Sequence, residues 1–256
     1  MSFTFRRFAL LAIVLASSAC AEYIVTVAPR KVEEPRLTHR VARTATPLVR
    51  PGLHRFTKNF TRIVAYVPAS AFTRSSVPLQ LLLHGSGRDV EQLMKTHIPY
   101  ADANGVVILA PYAVNGTWDA IYTNFGPDLI GIEIALGWAF ENLPINASRV
   151  GISGFSDGAT YALGIGRANG DLFSSIVAYS PGFLLDVVPV GNPPISISHG
   201  TNDDDLPYET TRDKIVPTLK DGGYGVDFRT FEGPHVPLEE LMEESISNLG
   251  RSGGRP

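Results

Sequence analysis

The feature that most constrains the fold is an alternation of short apolar segments and longer amphipathic segments from about residue 60 to residue 250. Short apolar runs bounded by turn residues are typical of buried strands, and apolar residues every three to four positions are typical of helices. Strands that alternate with helices predict an α/β fold, with a mostly parallel central sheet that is covered by helices on both faces.

Both kinds of element can be assigned from this pattern. The predicted strands are Arg62–Val67, Leu79–His84, Val106–Ala110, Arg149–Ser153, Ser175–Tyr179, Ile195–His199 and Gly225–Phe231. The predicted helices are Val90–Ile98, Asp128–Asn142, Asp157–Asn169, Tyr208–Lys220 and Leu238–Leu249. No internal repeat is visible, so we expect one domain over residues 59–250.

The first residues have the layout of a secretory signal. Arg6 and Arg7 precede an apolar run over residues 8–16, and small residues follow it up to Cys20. The run is shorter than the roughly 20 apolar residues of a membrane-spanning helix. Residues 1–21 are therefore expected to be a cleaved signal peptide or a lipoprotein signal, in which Cys20 becomes the lipid-modified first residue. Both alternatives predict an exported protein, either secreted or periplasmic, or tethered to a membrane through Cys20.

Composition narrows the remaining possibilities. Residues 22–58 are rich in Arg, Pro and Thr and are expected to form a tether or lead-in, and residues 251–256 are expected to form a flexible tail. The formal net charge of −3 differs from that of a typical nucleic-acid-binding domain, so nucleic acid is not an expected partner. Because Cys20 is the only cysteine, we expect no disulfide, no cysteine-based metal site and no catalytic thiol in the mature domain.

The strongest local motif is Gly-Phe-Ser-Asp-Gly at residues 154–158, which follows one predicted strand and begins a predicted helix. A G-x-S-x-G sequence between a strand and a helix is typical of a nucleophile elbow, a tight turn that exposes the serine oxygen. The five-residue pattern alone is weak, because an ordinary Gly/Ser turn would also match it. Its strand-turn-helix setting makes Ser156 the candidate nucleophile.

A second motif lies about 70 residues earlier in the chain. The apolar strand at residues 79–83 runs into His-Gly-Ser-Gly at residues 84–87, where a loop could supply backbone N–H groups to a negatively charged oxygen. We expect the N–H groups of Ser86 and Asp157 to form this oxyanion hole. His84 precedes the candidate nucleophile and is expected to be structural.

The candidate acid and base follow the nucleophile in the chain. The predicted strand at residues 195–199 leads to three consecutive carboxylates, and Asp203 is preferred over Asp204 and Asp205 because it lies closest to the strand end. His235 is the only histidine after Asp203, in a Gly/Pro loop between the last strand and the last helix. The order Ser156, Asp203, His235 is that of a Ser-His-Asp triad on an α/β sheet. The earlier residues His39, His54 and His97 are expected to be surface or packing residues.

With these motifs the sequence resembles the phospholipase/carboxylesterase branch of the α/β hydrolases, and also secreted esterases of the polyhydroxybutyrate-depolymerase and feruloyl-esterase group. The resemblance covers about residues 60–249. It implies the α/β-hydrolase fold, the triad Ser156, Asp203 and His235, and an oxyanion hole made by the amides of Ser86 and Asp157. Two departures affect the pocket: many relatives have Gln where this chain has Asp157, and an apolar residue where it has Asp205.

The expected function is hydrolysis of small or short-chain carboxylic esters through an acyl-enzyme, without a metal or an organic cofactor. The connection at residues 180–194 is too short for a lid domain, so we expect an open cleft for a small-molecule ester. Trp118 and Tyr122 are expected either to line this cleft or to pack their own loop. Two alternatives stay open: hydrolysis of thioesters or lactones by the same triad, and a noncatalytic binding protein that retains the scaffold.

Overall fold

The computed structural model describes residues 35–41, 49–87 and 90–251, which belong to one compact unit. The predictions for the signal segment at residues 1–21, including Cys20, and for tail residues 252–256 lie outside the described residues. No helix in the described ranges is long and apolar enough to cross a membrane.

The centre of the structure is an eight-stranded sheet with the strand order β1-β2-β4-β3-β5-β6-β7-β8. The strands β1 and β2 are antiparallel to their neighbours, and the strands from β4 to β8 along this order are parallel. Their bounds are β1 Gly52–Lys58, β2 Thr61–Val67, β3 Val77–Leu83, β4 Val107–Pro111, β5 Ile145–Phe155, β6 Ser175–Tyr179, β7 Ile195–Gly200 and β8 Val226–Phe231. All seven predicted strands are present.

Helices cover both faces of the sheet. They are α1 Val90–Asn104, α2 Pro127–Asn142, α3 Asp157–Ala168, α4 Tyr208–Thr210, α5 Val216–Asp221 and α6 Glu239–Gly250, with a π turn Thr211–Ile215 between α4 and α5 and short 3-10 turns Ala69–Phe72 and Asp119–Ile121. Buried residues of α2, α3 and α5 belong to one apolar cluster, whereas those of α1 and α6 belong to another. The predicted mostly parallel sheet between two layers of helices is confirmed.

Two element predictions need correction. Helix α1 was predicted to end at Ile98, yet it continues through Pro99 to Asn104. Packing explains this extension, since Ala101 is fully buried in the apolar cluster of α1 and α6. The other correction concerns the predicted lead-in, because Gly52–Lys58 is strand β1 and pairs with β2 along its whole length.

Residues 35–41 of the predicted lead-in also pack on the domain. Leu37 is only 2% exposed, and its N–H donates to Oδ1 of the buried Asn169 over 2.8 Å. Arg36 and Arg40 both form ion pairs with Asp171. This part of the chain is therefore integrated into the fold, and the folded unit begins before residue 59.

The topology brings the candidate motifs to one edge of the sheet. Strands β3, β5, β7 and β8 are parallel, so the loops that follow them lie at the same end. Those loops contain the His-Gly-Ser-Gly segment, Ser156, Asp203 and His235. Between β6 and β7, residues 180–194 contain no helix or strand, which agrees with the predicted absence of a large lid.

Candidate active site

Ser156 lies at the turn between β5 and α3 in a backbone conformation that non-glycine residues rarely adopt. Its φ and ψ are 58° and −122°, and its N–H donates to the carbonyl oxygen of Tyr179 over 2.9 Å. The neighbouring positions 154 and 158 require glycine, because other backbone atoms leave no room for a side chain there. A Cβ atom on Gly154 would lie 2.1 Å from the carbonyl oxygen of Gly158, and one on Gly158 would lie 2.4 Å from the carbonyl oxygen of His84. The motif therefore forms the tight strand-to-helix turn that its sequence predicts.

The structure brings Ser156, His235 and Asp203 into one hydrogen-bonded chain. Nε2 of His235 is 2.9 Å from Oγ of Ser156, and Nδ1 is 2.6 Å from Oδ2 of Asp203. A carboxylate can only accept, so the ring proton lies on Nδ1 and Nε2 is free to accept the serine proton. The Asp203 side chain is fully buried and that of His235 is 7% exposed, which protects this contact from water. The arrangement can therefore generate a nucleophilic serine oxygen.

The local turn explains why Asp203, rather than Asp204 or Asp205, occupies this place. The N–H groups of Asp205 and Leu206 donate to Oδ1 of Asp203 over 3.0 and 2.8 Å, whereas Asp204 and Asp205 are exposed. Burial opposes ionisation of Asp203, but the hydrogen bonds from Leu206 and His235 outweigh it and hold the pKa of this carboxyl below its ordinary value. Asp203 is therefore a stable carboxylate beside the imidazole.

A second histidine contacts the same carboxylate, and sequence reasoning did not assign it a role. His199 is fully buried at the end of β7, and its Nε2 is 3.0 Å from both Oδ2 of Asp203 and the carbonyl oxygen of Leu206. Both of these atoms are acceptors, so Nε2 carries a proton. Burial lowers the pKa of His199, which favours the neutral ring, and Nδ1 is 2.8 Å from Oγ1 of Thr211. A histidine four residues before the predicted acid, in the same strand-end motif, was the available signal.

His84 has the structural role that its position predicts. It is buried, Nδ1 donates to the carbonyl oxygen of Gly85 over 2.7 Å, and Nε2 accepts the N–H of Ala113 over 3.0 Å. Burial lowers the pKa of His84, in keeping with the neutral ring that these two bonds require. In a trans peptide the C=O and N–H groups point in opposite directions. The Gly85 carbonyl and the Ser86 N–H belong to the same peptide group, and this carbonyl points towards the His84 ring. The Ser86 N–H therefore points away from that ring, as a donor to a bound ligand must.

The second expected donor, Asp157, is the first residue of α3. Backbone N–H groups in the first turn of a helix lack a partner within the helix, so they can donate to a negatively charged oxygen. The side chain of Asp157 is bound by Thr117, whose Oγ1 donates to Asp157 Oδ2 over 2.5 Å. The N–H of Gly87 is also occupied, by the carbonyl oxygen of Gly116 at 2.8 Å. This geometry leaves Ser86 and Asp157 as the better candidate pair.

Trp118 and Tyr122, which were expected either to line the cleft or to pack their own loop, differ in exposure. Trp118 has no exposed surface, its Nε1–H donates to the carbonyl oxygen of His84 over 2.8 Å, and its ring stacks on Tyr161. The prediction that Trp118 lines the cleft is wrong; it packs its loop and supports the His84 turn. Tyr122 is 75% exposed. Within the described ranges, no group of three or more His, Cys, Asp or Glu side chains is arranged to hold a metal ion.

No family model matches the sequence, and no curated protein matches it. Solved structures do match the fold at low identity. S-formylglutathione hydrolase from Staphylococcus aureus is 18% identical, with a TM-score of 0.61, and the match covers 80% of this chain and 100% of that one. A substrate-bound fluorophosphonate-binding serine hydrolase from the same organism is 17% identical, with a TM-score of 0.62 and coverage of 79% and 100%.

A fungal structure matches to a similar degree. The acetyl xylan esterase from Aspergillus awamori is 15% identical, with a TM-score of 0.63, and the match covers 77% of this chain and 99% of that one. Each of these matches extends over more than three quarters of this chain, so the shared feature is the overall fold. The chain therefore has the α/β-hydrolase fold.

Proposed function

We propose that this protein is a serine carboxylesterase that acts on small-molecule esters through an acyl-enzyme. The observation that carries the proposal is the continuous chain of hydrogen bonds from Ser156 through His235 to Asp203. In this proposal Ser156 is the nucleophile, His235 is the general base and acid, and Asp203 holds the imidazole in the required tautomer. The N–H groups of Ser86 and Asp157 stabilise the oxyanion.

The reaction follows from these roles. His235 accepts the proton of Ser156 while the serine oxygen attacks the ester carbonyl, and the resulting imidazolium is stabilised by Asp203. The carbonyl oxygen becomes negatively charged as the tetrahedral intermediate forms, and each backbone donor to it contributes about 3 kcal/mol of transition-state stabilisation. His235 then protonates the departing alcohol. Water, activated by the same imidazole, releases the acid from Ser156 and restores the enzyme.

The names of the structures with the same fold support this choice of reaction. One is called a hydrolase of S-formylglutathione, one a fluorophosphonate-binding serine hydrolase and one an acetyl xylan esterase. The signal-like residues 1–21 support action outside the cytoplasm, either as a free protein or tethered through Cys20.

The first test is hydrolysis of p-nitrophenyl acetate and butyrate by the wild type and by Ser156→Ala. We expect the substitution to lower kcat by about a thousandfold or more, because no other group forms the acyl-enzyme. Ser153→Ala is the matched control, since Ser153 is buried on strand β5, which leads to Ser156, and its Oγ has no hydrogen-bond partner among the described residues. Comparable losses in both variants, or a folded wild type that hydrolyses neither ester, would contradict the proposed function.

A further inference from the structure

A cavity of about 780 Å³ lies between helices α1 and α6. Leu93, Thr96 and Pro99 of α1 form one wall, and Met242 of α6 belongs to the opposite wall. This volume is within the range of about 300 to 1,000 Å³ that is common for pockets that bind small molecules. An acetyl or butyryl group would occupy only a small part of it.

The cavity adjoins the candidate active site. Gly85 and Gly87 flank the proposed oxyanion donor, Phe155 directly precedes the nucleophile, and Pro237 follows the proposed base by two residues. All four line the cavity, so three separate segments of the catalytic machinery each contribute part of its wall. The ring of Phe155 also packs on that of His235, with centroids 4.6 Å apart. A group bound in the cavity would therefore lie next to the reacting ester.

The chemistry of the walls favours an apolar ligand. Leu93, Pro99, Phe155 and Met242 present carbon atoms, and two of the polar groups already have protein partners. The hydroxyl of Thr96 donates to the carbonyl oxygen of Leu93 over 2.7 Å. That of Tyr100 donates to Glu239 over 2.6 Å and thereby bridges α1 and α6. The exposed side chains of Gln92 and Lys95 are the remaining polar parts of the wall from α1.

We propose that this cavity binds the apolar arm of the substrate, so that the enzyme prefers esters with an alkyl chain or aryl group well beyond acetate or butyrate. The inference rests on the proposed function, because it takes the ester carbonyl to be held at Ser156. An apolar arm can belong to the acyl group or to the alcohol. The two sources share the same binding chemistry and are separated by the choice of substrates below.

The test compares two pairs of esters with wild type and a variant that fills the cavity. p-Nitrophenyl acetate and hexanoate vary the acyl group, and ethyl and hexyl acetate vary the alcohol, all below their solubility limits. Each CH₂ group that enters the cavity should raise kcat/KM by about fourfold. We therefore expect wild type to prefer the longer member of at least one pair by about tenfold or more.

Thr96→Phe is the filling variant, because Thr96 is an exposed helix residue at the cavity wall and its replacement should not disturb the core. We expect it to lower kcat/KM for the preferred longer ester about tenfold, with less than a twofold change for the shorter one. Thr218→Phe, at an exposed position of α5, is the matched control and should change neither. A loss on p-nitrophenyl hexanoate without a loss on p-nitrophenyl acetate assigns the cavity to the acyl group. A loss on hexyl acetate without a loss on ethyl acetate assigns it to the alcohol.

Three results would overturn the inference: no preference for longer esters in wild type, no effect of Thr96→Phe, or an equal loss on the short and long members of both pairs. Failure of the proposed function gives a different result, in which wild type hydrolyses none of the esters and is not labelled by a fluorophosphonate. Calorimetric binding of the intact p-nitrophenyl hexanoate then tests the cavity alone. Thr96→Phe should weaken that binding about tenfold, and unchanged binding would overturn the inference.

Discussion

At the scale of single residues, the candidate site is organised around the buried carboxylate of Asp203. Four donors reach its two oxygens: the N–H groups of Asp205 and Leu206, and the rings of His235 and His199. Each donor fixes the direction of the carboxylate and shares its negative charge. The orientation of the His235 imidazole is therefore set, through Asp203, by Asp205, Leu206 and His199.

His199→Leu tests the role of the second histidine. Removing this donor raises the pKa of Asp203, so the carboxylate that orients His235 is lost at a higher pH. We expect kcat to fall about tenfold and the acid limb of the pH profile of kcat/KM to move up by about half a pH unit.

His199→Gln is the matched variant, because its side-chain amide can still donate to Asp203. It should recover most of the activity and keep the acid limb near the wild-type position. If both variants lose activity equally and neither moves the limb, His199 is only a packing residue.

The sequence allowed Ser156, Asp203 and His235 to be proposed, because a nucleophile elbow, a strand-end carboxylate and a late histidine follow a fixed chain order. The structure brings these three together. The contacts of His199 and Trp118 depend on packing between segments that are distant in sequence. A short local pattern does not contain that information, which is why it assigned no role to His199 and left two positions open for Trp118.

At the scale of elements, β1 shows where a periodic pattern fails. Buried parallel strands read as continuous apolar runs, whereas β1 is an edge strand with Leu53 and Phe56 on opposite faces and polar residues on both. The turn from β1 into β2 could not be recognised from the sequence either. Asn59 and Phe60 both have positive φ, but phenylalanine stands where glycine is usual in such a two-residue turn.

Helix α1 contains a buried titratable group that makes stability depend on pH. His97 is 1% exposed, and burial lowers its pKa to about 4, whereas an unfolded histidine has a pKa of about 6.5. Between these values the unfolded chain binds a proton that the folded protein does not. The contribution of His97 to the free energy of unfolding therefore decreases as the pH falls from about 6.5 towards about 4.

His97→Leu should remove this dependence. Between pH 7.5 and pH 5, the free energy of unfolding of wild type should fall by roughly 2 kcal/mol more than that of the variant, measured by urea denaturation. The replacement is tolerable because Nε2 of His97 has no hydrogen-bond partner among the described residues. A difference between the two proteins that is the same at both pH values would contradict this role.

At the scale of the whole molecule, residues 35–41 contact helices α2 and α3 through hydrogen bonds and apolar packing. Glu133 of α2 accepts hydrogen bonds from the N–H groups of Thr38 and His39, and Leu37 packs in the same apolar cluster as α2 and α3. The predicted α/β-hydrolase fold is confirmed, but this attachment was not predictable. The basic, proline-containing sequence of residues 35–41 resembles a linker. Its acidic and apolar partners in the folded domain become visible only in the structure.

A chain that starts at residue 49 should be less stable than one that starts at Lys31. It loses the burial of Leu37 and leaves the side chain of Asn169, which is fully buried, without two of its hydrogen-bond partners. We expect the free energy of unfolding to decrease by about 3 kcal/mol, measured by urea denaturation of both chains. Equal transition midpoints with equal slopes would show that residues 35–41 contribute nothing to stability.

The central claim is that Ser156 is the nucleophile, and covalent labelling tests it most directly. The wild-type protein is treated with a fluorophosphonate, digested, and its peptides are mapped by mass spectrometry. We predict a single adduct on Ser156, formed in step with the loss of esterase activity and absent from Ser156→Ala. An adduct on another serine, or full inactivation without an adduct on Ser156, would contradict the assignment.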